Sequence, residues 1–318
     1  MRIVSLLPSS TEIACLLGAE DDLVGISHEC DFPSSIRDRP ILTSSKINVD
    51  QLSASIDRDV RRVLRDALTV YDVDAAGLAA AAPDVVLTQD LCDVCAVSVR
   101  DVERALAKIA GDGVRLVSLK PTVLDDAGDR HGVFGDVERV AKAIGRAELG
   151  RATADELRAR AASIRSRAQA AVKASGTAPP RVLTIEWMDP VMIGGTWMPE
   201  LVEIAGGEAL VTRPGDHAPT LSAEALSKLA PDVVLVKPCG FDLERTEKEI
   251  DTLRTLVESM PWPAVESRRV HIADGNAFFN RPGPRLVESA EILAATVHPR
   301  AFGAEAESHR DEMRPLWR

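Results

Sequence analysis

The sequence predicts an α/β protein of two Rossmann-like lobes, each a parallel sheet with helices on its faces, joined by one long α-helix. Three observations predict it. The hexapeptide Ala82-Pro83-Asp84-Val85-Val86-Leu87 returns unchanged as Ala230-Pro231-Asp232-Val233-Val234-Leu235. Short apolar runs alternate with helical stretches in both halves, the pattern of strands buried on two faces. Between the halves, from about Asp136 to Ala174, no strand signal appears. A spacing of roughly 150 residues is too long for a solenoid, whose repeats run about 20 to 50, so duplication of a whole lobe fits better.

The elements follow in order. Ile3 to Leu7 reads as a buried strand. In Pro8-Ser9-Ser10-Thr11-Glu12 a small hydroxyl residue caps a helix carrying Ile13, Leu16 and Leu17, which Gly18 ends. Leu23 to Ser27, Val85 to Thr88 and Val114 to Leu119 complete the first sheet. Val140, Ile144, Leu157, Ala161, Ile164 and Ala168 then repeat with helical spacing. Gly145 and Gly150 are expected to divide a short piece from a long one of roughly 33 Å, at 1.5 Å per residue. Ser175-Gly176-Thr177-Ala178-Pro179-Pro180 stops the helix.

The second half repeats the order of the first. Arg181-Val182-Leu183-Thr184-Ile185 matches Arg2-Ile3-Val4-Ser5-Leu6, and Arg269-Val270-His271-Ile272-Ala273 matches Arg115-Leu116-Val117-Ser118-Leu119. Strands are expected at Val182 to Glu186, Val233 to Lys237 and Val270 to Ala273. The acid-and-base run Glu244 to Glu258 reads as an exposed helix face. The expected boundaries are a lobe over 1–135, the linking helix over 136–175, a second lobe over 176–300 and a loosely held polar tail over 301–318.

Composition narrows the function. With 45% apolar and 27% charged residues, the chain is an ordinary globular protein rather than a disordered one. A net charge of -11 argues against nucleic acid or an anionic membrane surface, which would want a clustered basic face. Five cysteines without scaffold spacing fit a reducing compartment. The opening Met1-Arg2-Ile3-Val4-Ser5-Leu6-Leu7-Pro8 has no apolar leader region, so the expectation is a cytoplasmic protein; with a leader removed, it is a periplasmic or lipid-anchored one. No run of about 18 apolar residues is present to span a membrane.

In open parallel sheets ligands bind beyond the carboxyl ends of the strands. Those positions hold Pro8, Ser9 and Ser10; His28 and Glu29; Gln89, Asp90 and Leu91; Glu186, Trp187, Met188 and Asp189; Phe241; and Asn276 with Phe279. Two lobes presenting these loops to one cleft would hold a ligand between them. The aromatic content is only 3%, which makes the position of each ring informative. Trp187, Trp197 and Phe241 offer flat apolar contact, and Gln89, Asp90, Glu186, Asp189 and Asn276 offer hydrogen bonds. His28, Cys30, Cys92 and Cys95 form a second group, with the donor types of a tetrahedral zinc site or a redox pair. Buried thiols beside a hydrogen-bonded histidine are the structural alternative. No nucleophile elbow, Walker A loop or His-Glu-x-x-His occurs.

Several stretches carry a family resemblance. They are Arg2 to Ile13, Leu23-Val24-Gly25-Ile26-Ser27-His28-Glu29-Cys30-Asp31-Phe32-Pro33, Thr88-Gln89-Asp90-Leu91-Cys92-Asp93-Val94-Cys95-Ala96-Val97, and Asp274-Gly275-Asn276 through Arg281-Pro282-Gly283-Pro284-Arg285-Leu286. In register over about Arg2 to Pro299, they resemble the cobalamin-binding proteins of ABC transporters. The wider class, with a helical backbone between two lobes, includes receptors for haem and ferric siderophores. The resemblance implies a class III periplasmic-binding-protein-like fold and non-catalytic binding of a corrinoid, with no further cofactor required. The implied partner is an ABC permease, docked from outside the cytoplasmic membrane. Read as cytoplasmic, the chain would instead deliver corrinoid to an intracellular enzyme. A corrinoid is a flat, mostly apolar ring edged with amides, to which the rings and polar groups above are suited. The residues also leave open another metal chelate or a Cys/His metal or redox protein. An anionic siderophore would want several cations in the cleft, where only Lys120, Lys237 and Arg281 are placed.

Overall fold

In a computed structural model of the chain, residues 1–65, 70–90, 99–107 and 113–317 are described. The chain forms two compact units, one of Met1–Gln51 with Ser55–Glu156, the other of Leu52–Ala54 with Leu157–Arg318. In the first, the strands Leu23–Ile26, Ile3–Ser5, Val85–Gln89 and Arg115–Leu119 lie in that spatial order, all parallel. Val4 and Val86 pack with Leu42, Leu78 and Val102 on one face. Leu23–Ile26, Ile3–Ser5 and Val85–Gln89 are largely buried on both sides, which is why they read as apolar runs, whereas the edge strand Arg115–Leu119 is partly exposed.

In the second unit three parallel strands, Arg181–Met188, Val233–Val236 and Val270–Ala273, form the centre of the sheet. Val191–Ile193 and Met313–Pro315 add antiparallel edges, and Glu208–Ala209 pairs with the start of Arg181–Met188. The α/β fold with parallel sheets therefore stands as the sequence predicts.

The repeated hexapeptide has a physical reason. In each copy the aspartate closes the amino end of the sheet: Asp84 Oδ2 accepts from the Arg2 amide at 2.8 Å, and Asp232 Oδ2 from the Arg181 amide at 2.9 Å. The aspartate amide donates back to the carbonyl of that arginine, at 2.8 Å in both units. Arg115 and Arg269 are also equivalent, each donating at 2.7 Å to a helix-terminal carbonyl, Ala143 O and Val297 O. Two halves that satisfy the same strand-end groups in the same way are the mark of a duplicated unit.

Several details differ from the sequence reading. Pro8, not a hydroxyl residue, starts the first helix, Pro8–Leu16, with Leu7 at the cap and no side-chain cap bond. Proline suits the first helical position because its missing N–H has no partner there anyway. Gly150 does not divide the linking helix. Val133–Ala143 ends before Gly145, and Ala147–Ser175 runs unbroken for 29 residues, beginning in the first unit and ending in the second. A Cβ at Gly150 would lie 2.2 Å from Ala141 Cβ, so this glycine lets two helices approach closely.

Nor is the segment after 300 a loose tail. Phe302 is fully buried, Gly303–Ser308 is helical, and Met313–Pro315 pairs with Val270–Ala273. Its apolar anchors, Phe302 and Leu316, are too sparse to stand out in a polar sequence.

His271 lies on the strand beside this edge. Burial lowers its pKa from 6.5 to about 4, and Nδ1 has no hydrogen-bond partner among the described residues. The unfolded chain therefore binds the extra proton first as pH falls, and stability drops as pH goes from about 6.5 to about 4. Replacement His271→Leu is expected to remove about 2 to 3 kcal/mol of that acid-side loss, read from urea midpoints across the window.

Candidate functional site

The carboxyl ends of the second unit's parallel strands bring together most of the predicted aromatic and polar residues there. Trp187 and Met188 belong to the strand itself rather than to a loop after it, because Arg181–Met188 turns back through Asp189-Pro190 into Val191–Ile193. The Trp187 indole N–H donates to Asp189 O at 3.1 Å, which fixes the ring over this turn. Its ring centroid lies 5.3 Å from that of Phe241, tilted by 55°. The guanidinium of Arg245 covers the Phe241 ring at 3.9 Å. Arg245 in turn donates to Glu249 Oε1 at 2.8 Å, and Glu249 also accepts from the Ser53 hydroxyl at 2.6 Å.

The charged run Glu244 to Glu258 is therefore not simply an exposed face. Glu249 is buried, and Arg245 fixes the aromatic pair in place. Arg245 and Glu249 are neighbours of the ring pair that sequence reasoning missed. The i,i+4 spacing of Arg245 and Glu249, directly after Phe241, was the available signal.

Next to Trp187 in the chain, Glu186 belongs to a largely buried ionic knot. Lys237, with no exposed surface, pairs with Glu186 Oε2 at 2.8 Å and donates to Asn280 Oδ1 at 2.8 Å. The Asn280 amide closes the knot on Lys237 O and Gly275 O, at 3.2 and 2.8 Å. A Cβ at Gly275 would lie 2.1 Å from Pro238 O, so two strand-end loops touch through backbone. Asn276 sits in the same turn, its Oδ1 accepting from Arg281 at 3.0 Å.

Each cation that the sequence reading offered to an anionic ligand thus has an acidic or amide partner in its own unit. Lys120 pairs with Asp90 at 3.3 Å, at the surface of the first unit.

All four predicted aromatic contacts are buried, Phe241 at 3% exposed and Trp187, the most open, at 9%. Phe279 has no exposed surface, and the Trp197 indole, itself buried, donates to Phe279 O at 3.0 Å. Together they support the turn carrying Asn276. Met188 is also buried, whereas Asp189 is exposed.

In the first unit, His28 and Glu29 follow the strand Leu23–Ile26. The antiparallel pair Thr43–Ser45 and Tyr71–Val73 brings them two partners that local sequence does not reveal. The His28 amide donates to Thr43 Oγ1 at 3.0 Å, and ring Nδ1 lies 2.7 Å from the same oxygen. Tyr71 lies 5.4 Å from the His28 ring and donates its hydroxyl to Glu29 Oε1 at 3.2 Å. Partial burial lowers the His28 pKa, which keeps the ring neutral.

Pro8, Ser9 and Ser10 form the first helical turn and are buried. Ser10 bonds Ser5 at 2.6 Å, while Ser9 Oγ has no partner among the described residues. Gln89 ends its strand buried, and Asp90 beside it is exposed.

Cys30 is buried, with Sγ 3.1 Å from Thr11 Oγ1. Leu91, Cys92 and Cys95 lie outside the described residues. Among those described, no group of three or more His, Cys, Asp or Glu is placed to hold a metal ion. A groove of about 800 Å³ lies at the opposite, amino-terminal edge of the second unit's sheet, where Arg181, Asp232 and Arg269 line it.

The strand ends of the second unit thus bring an aromatic pair together with amide and carboxylate side chains. The family described as Periplasmic binding protein matches residues 3–277, and the chain belongs to it. Among curated proteins, the vitamin B12-binding protein of Yersinia pestis (strain Pestoides F) is 23% identical over 294 residues, 92% of this chain and 84% of that one. Two solved structures share the fold. A periplasmic heme binding protein from Pseudomonas aeruginosa aligns with a TM-score of 0.67 at 19% identity, over 94% of this chain and 93% of that one. The periplasmic vitamin B12 binding protein BtuF of Vibrio cholerae gives 0.63 at 19% identity, over 93% and 96%. The resemblance read from the strand-end motifs holds at this level. No helix among the described residues is long and apolar enough to cross a membrane.

Proposed function

We propose that this protein binds a corrinoid, without chemistry, and passes it to an ABC permease from outside the cytoplasmic membrane. The observation that carries the reading is the Trp187–Phe241 pair, held by Arg245 at the carboxyl edge of its sheet. Trp187 keeps the most exposed surface of the predicted aromatic contacts, 9%, and is the ring proposed to lie against the macrocycle. Glu186, Asp189 and Asn276 are the groups of this unit proposed to meet the amide rim, and His28, Glu29 and Asp90 are the accessible polar groups at the strand ends of the other. The engagement of Lys237 and Arg281 within their own unit weighs against an anionic siderophore.

The names of the relatives support both a corrinoid and haem. Of the two, the amide-matching polar groups favour the corrinoid, since haem presents propionates and would want free cations. Titration with cobalamin, cobinamide and haem, followed by visible absorption and calorimetry, tests the reading. Saturable one-to-one binding of a corrinoid, tighter than that of haem, is expected; one-to-one binding of haem with none of either corrinoid would overturn it.

A further inference from the structure

We infer that His28 ligates the metal of the bound corrinoid through Nε2, and that the protein therefore selects corrinoids whose axial position can be vacated. The inference rests on the corrinoid reading above. Three hydrogen bonds meet at the Thr43 hydroxyl. That hydroxyl accepts from the His28 amide at 3.0 Å and gives its one proton to Ser27 Oγ at 3.1 Å. The ring nitrogen Nδ1, 2.7 Å away, must then be the donor, filling the oxygen's second lone pair. The proton sits on Nδ1, and Nε2 carries the free lone pair.

Nε2 makes no hydrogen bond among the described residues, and the ring is only half buried. Tyr71 lies against the imidazole, and its own hydroxyl is committed to Glu29, so the ring is steadied without being engaged. A neutral imidazole whose other nitrogen donates to a fixed oxygen is the arrangement that metal-binding histidines adopt, and borderline metals such as cobalt accept it. The step is a ligand exchange. The Nε2 lone pair forms a bond to cobalt, a cobalt-bound water leaves, and no proton or oxidation state changes.

The test uses aquacobinamide, whose axial water is replaceable, and dicyanocobinamide, whose axial positions are both held by cyanide. The wild-type protein is expected to bind the aqua form at least about tenfold more tightly. His28→Ala should lose that preference while still binding dicyanocobinamide, which also shows that the variant is folded. Thr43→Val, which removes the oxygen orienting the ring, should weaken aquacobinamide about 10- to 100-fold. Cob(II)inamide on protein carrying nitrogen-15 histidine should show electron-spin splitting from one axial nitrogen, a doublet in place of the unlabelled triplet.

Tight binding of both cobinamides without preference, together with no nitrogen splitting, would overturn the inference and leave the corrinoid reading standing. Failure of both to bind the wild-type protein would instead remove that reading, and this inference with it.

Discussion

Replacing Trp187 by alanine is expected to weaken corrinoid binding by about 30-fold or more, the loss of at least about 2 kcal/mol that a desolvated aromatic anchor typically contributes. The strand Arg181–Met188 and the turn at Asp189 hold the indole, and Phe241 backs it under the Arg245 guanidinium. Little conformational entropy is then lost when a ligand arrives, which is what makes a fixed ring an effective contact. Trp187→Phe should keep most of the affinity. Trp262, buried with its indole donating to Leu226 O, is the control: Trp262→Phe should lower the urea midpoint without changing the dissociation constant. Equal affinities for wild type and Trp187→Ala would remove the ring pair from the site.

The second large effect is expected at Lys237. Lys237→Met keeps the side-chain length but strands Glu186 and leaves Asn280 Oδ1 without its donor. Breaking a buried pair from one side is costly, and a loss of about 3 kcal/mol in unfolding free energy is expected, measured by urea denaturation with an unchanged slope. The double variant Lys237→Met, Glu186→Gln should recover part of it, because no charge is then left unpaired. A single variant as stable as wild type would mean that Glu186 is well solvated and the knot contributes little. Since the knot fixes the loops carrying Phe241 and Asn276, the single variant should also bind ligand more weakly.

Much of this was legible in the sequence because parallel strands buried on two faces leave apolar runs, and because Asp84 and Asp232 close equivalent strand ends. The carboxyl-edge positions followed from the strand order alone. What sequence hid is non-local. Lys237 directly follows a strand and reads as a cleft cation, yet it is paired with Glu186, 51 residues away. Phe279 and Trp197 resemble exposed loop aromatics until the hydrogen bond between them, over 82 residues, shows them to be core. Thr43 and Tyr71 reach His28 only through pairing of two short strands that carry no apolar signature. The edge strand Met313–Pro315 was missed for the same reason. An edge strand needs few apolar residues, so it reads as polar tail.

The most direct measurement is a crystal of the protein grown with cobinamide, with the cobalt located by its anomalous scattering. Cobalt against the Trp187 and Phe241 rings, at the carboxyl edge of the second unit's sheet, is the expected result. Cobalt in the groove at the opposite edge, beside Arg181, Asp232 and Arg269, would contradict it.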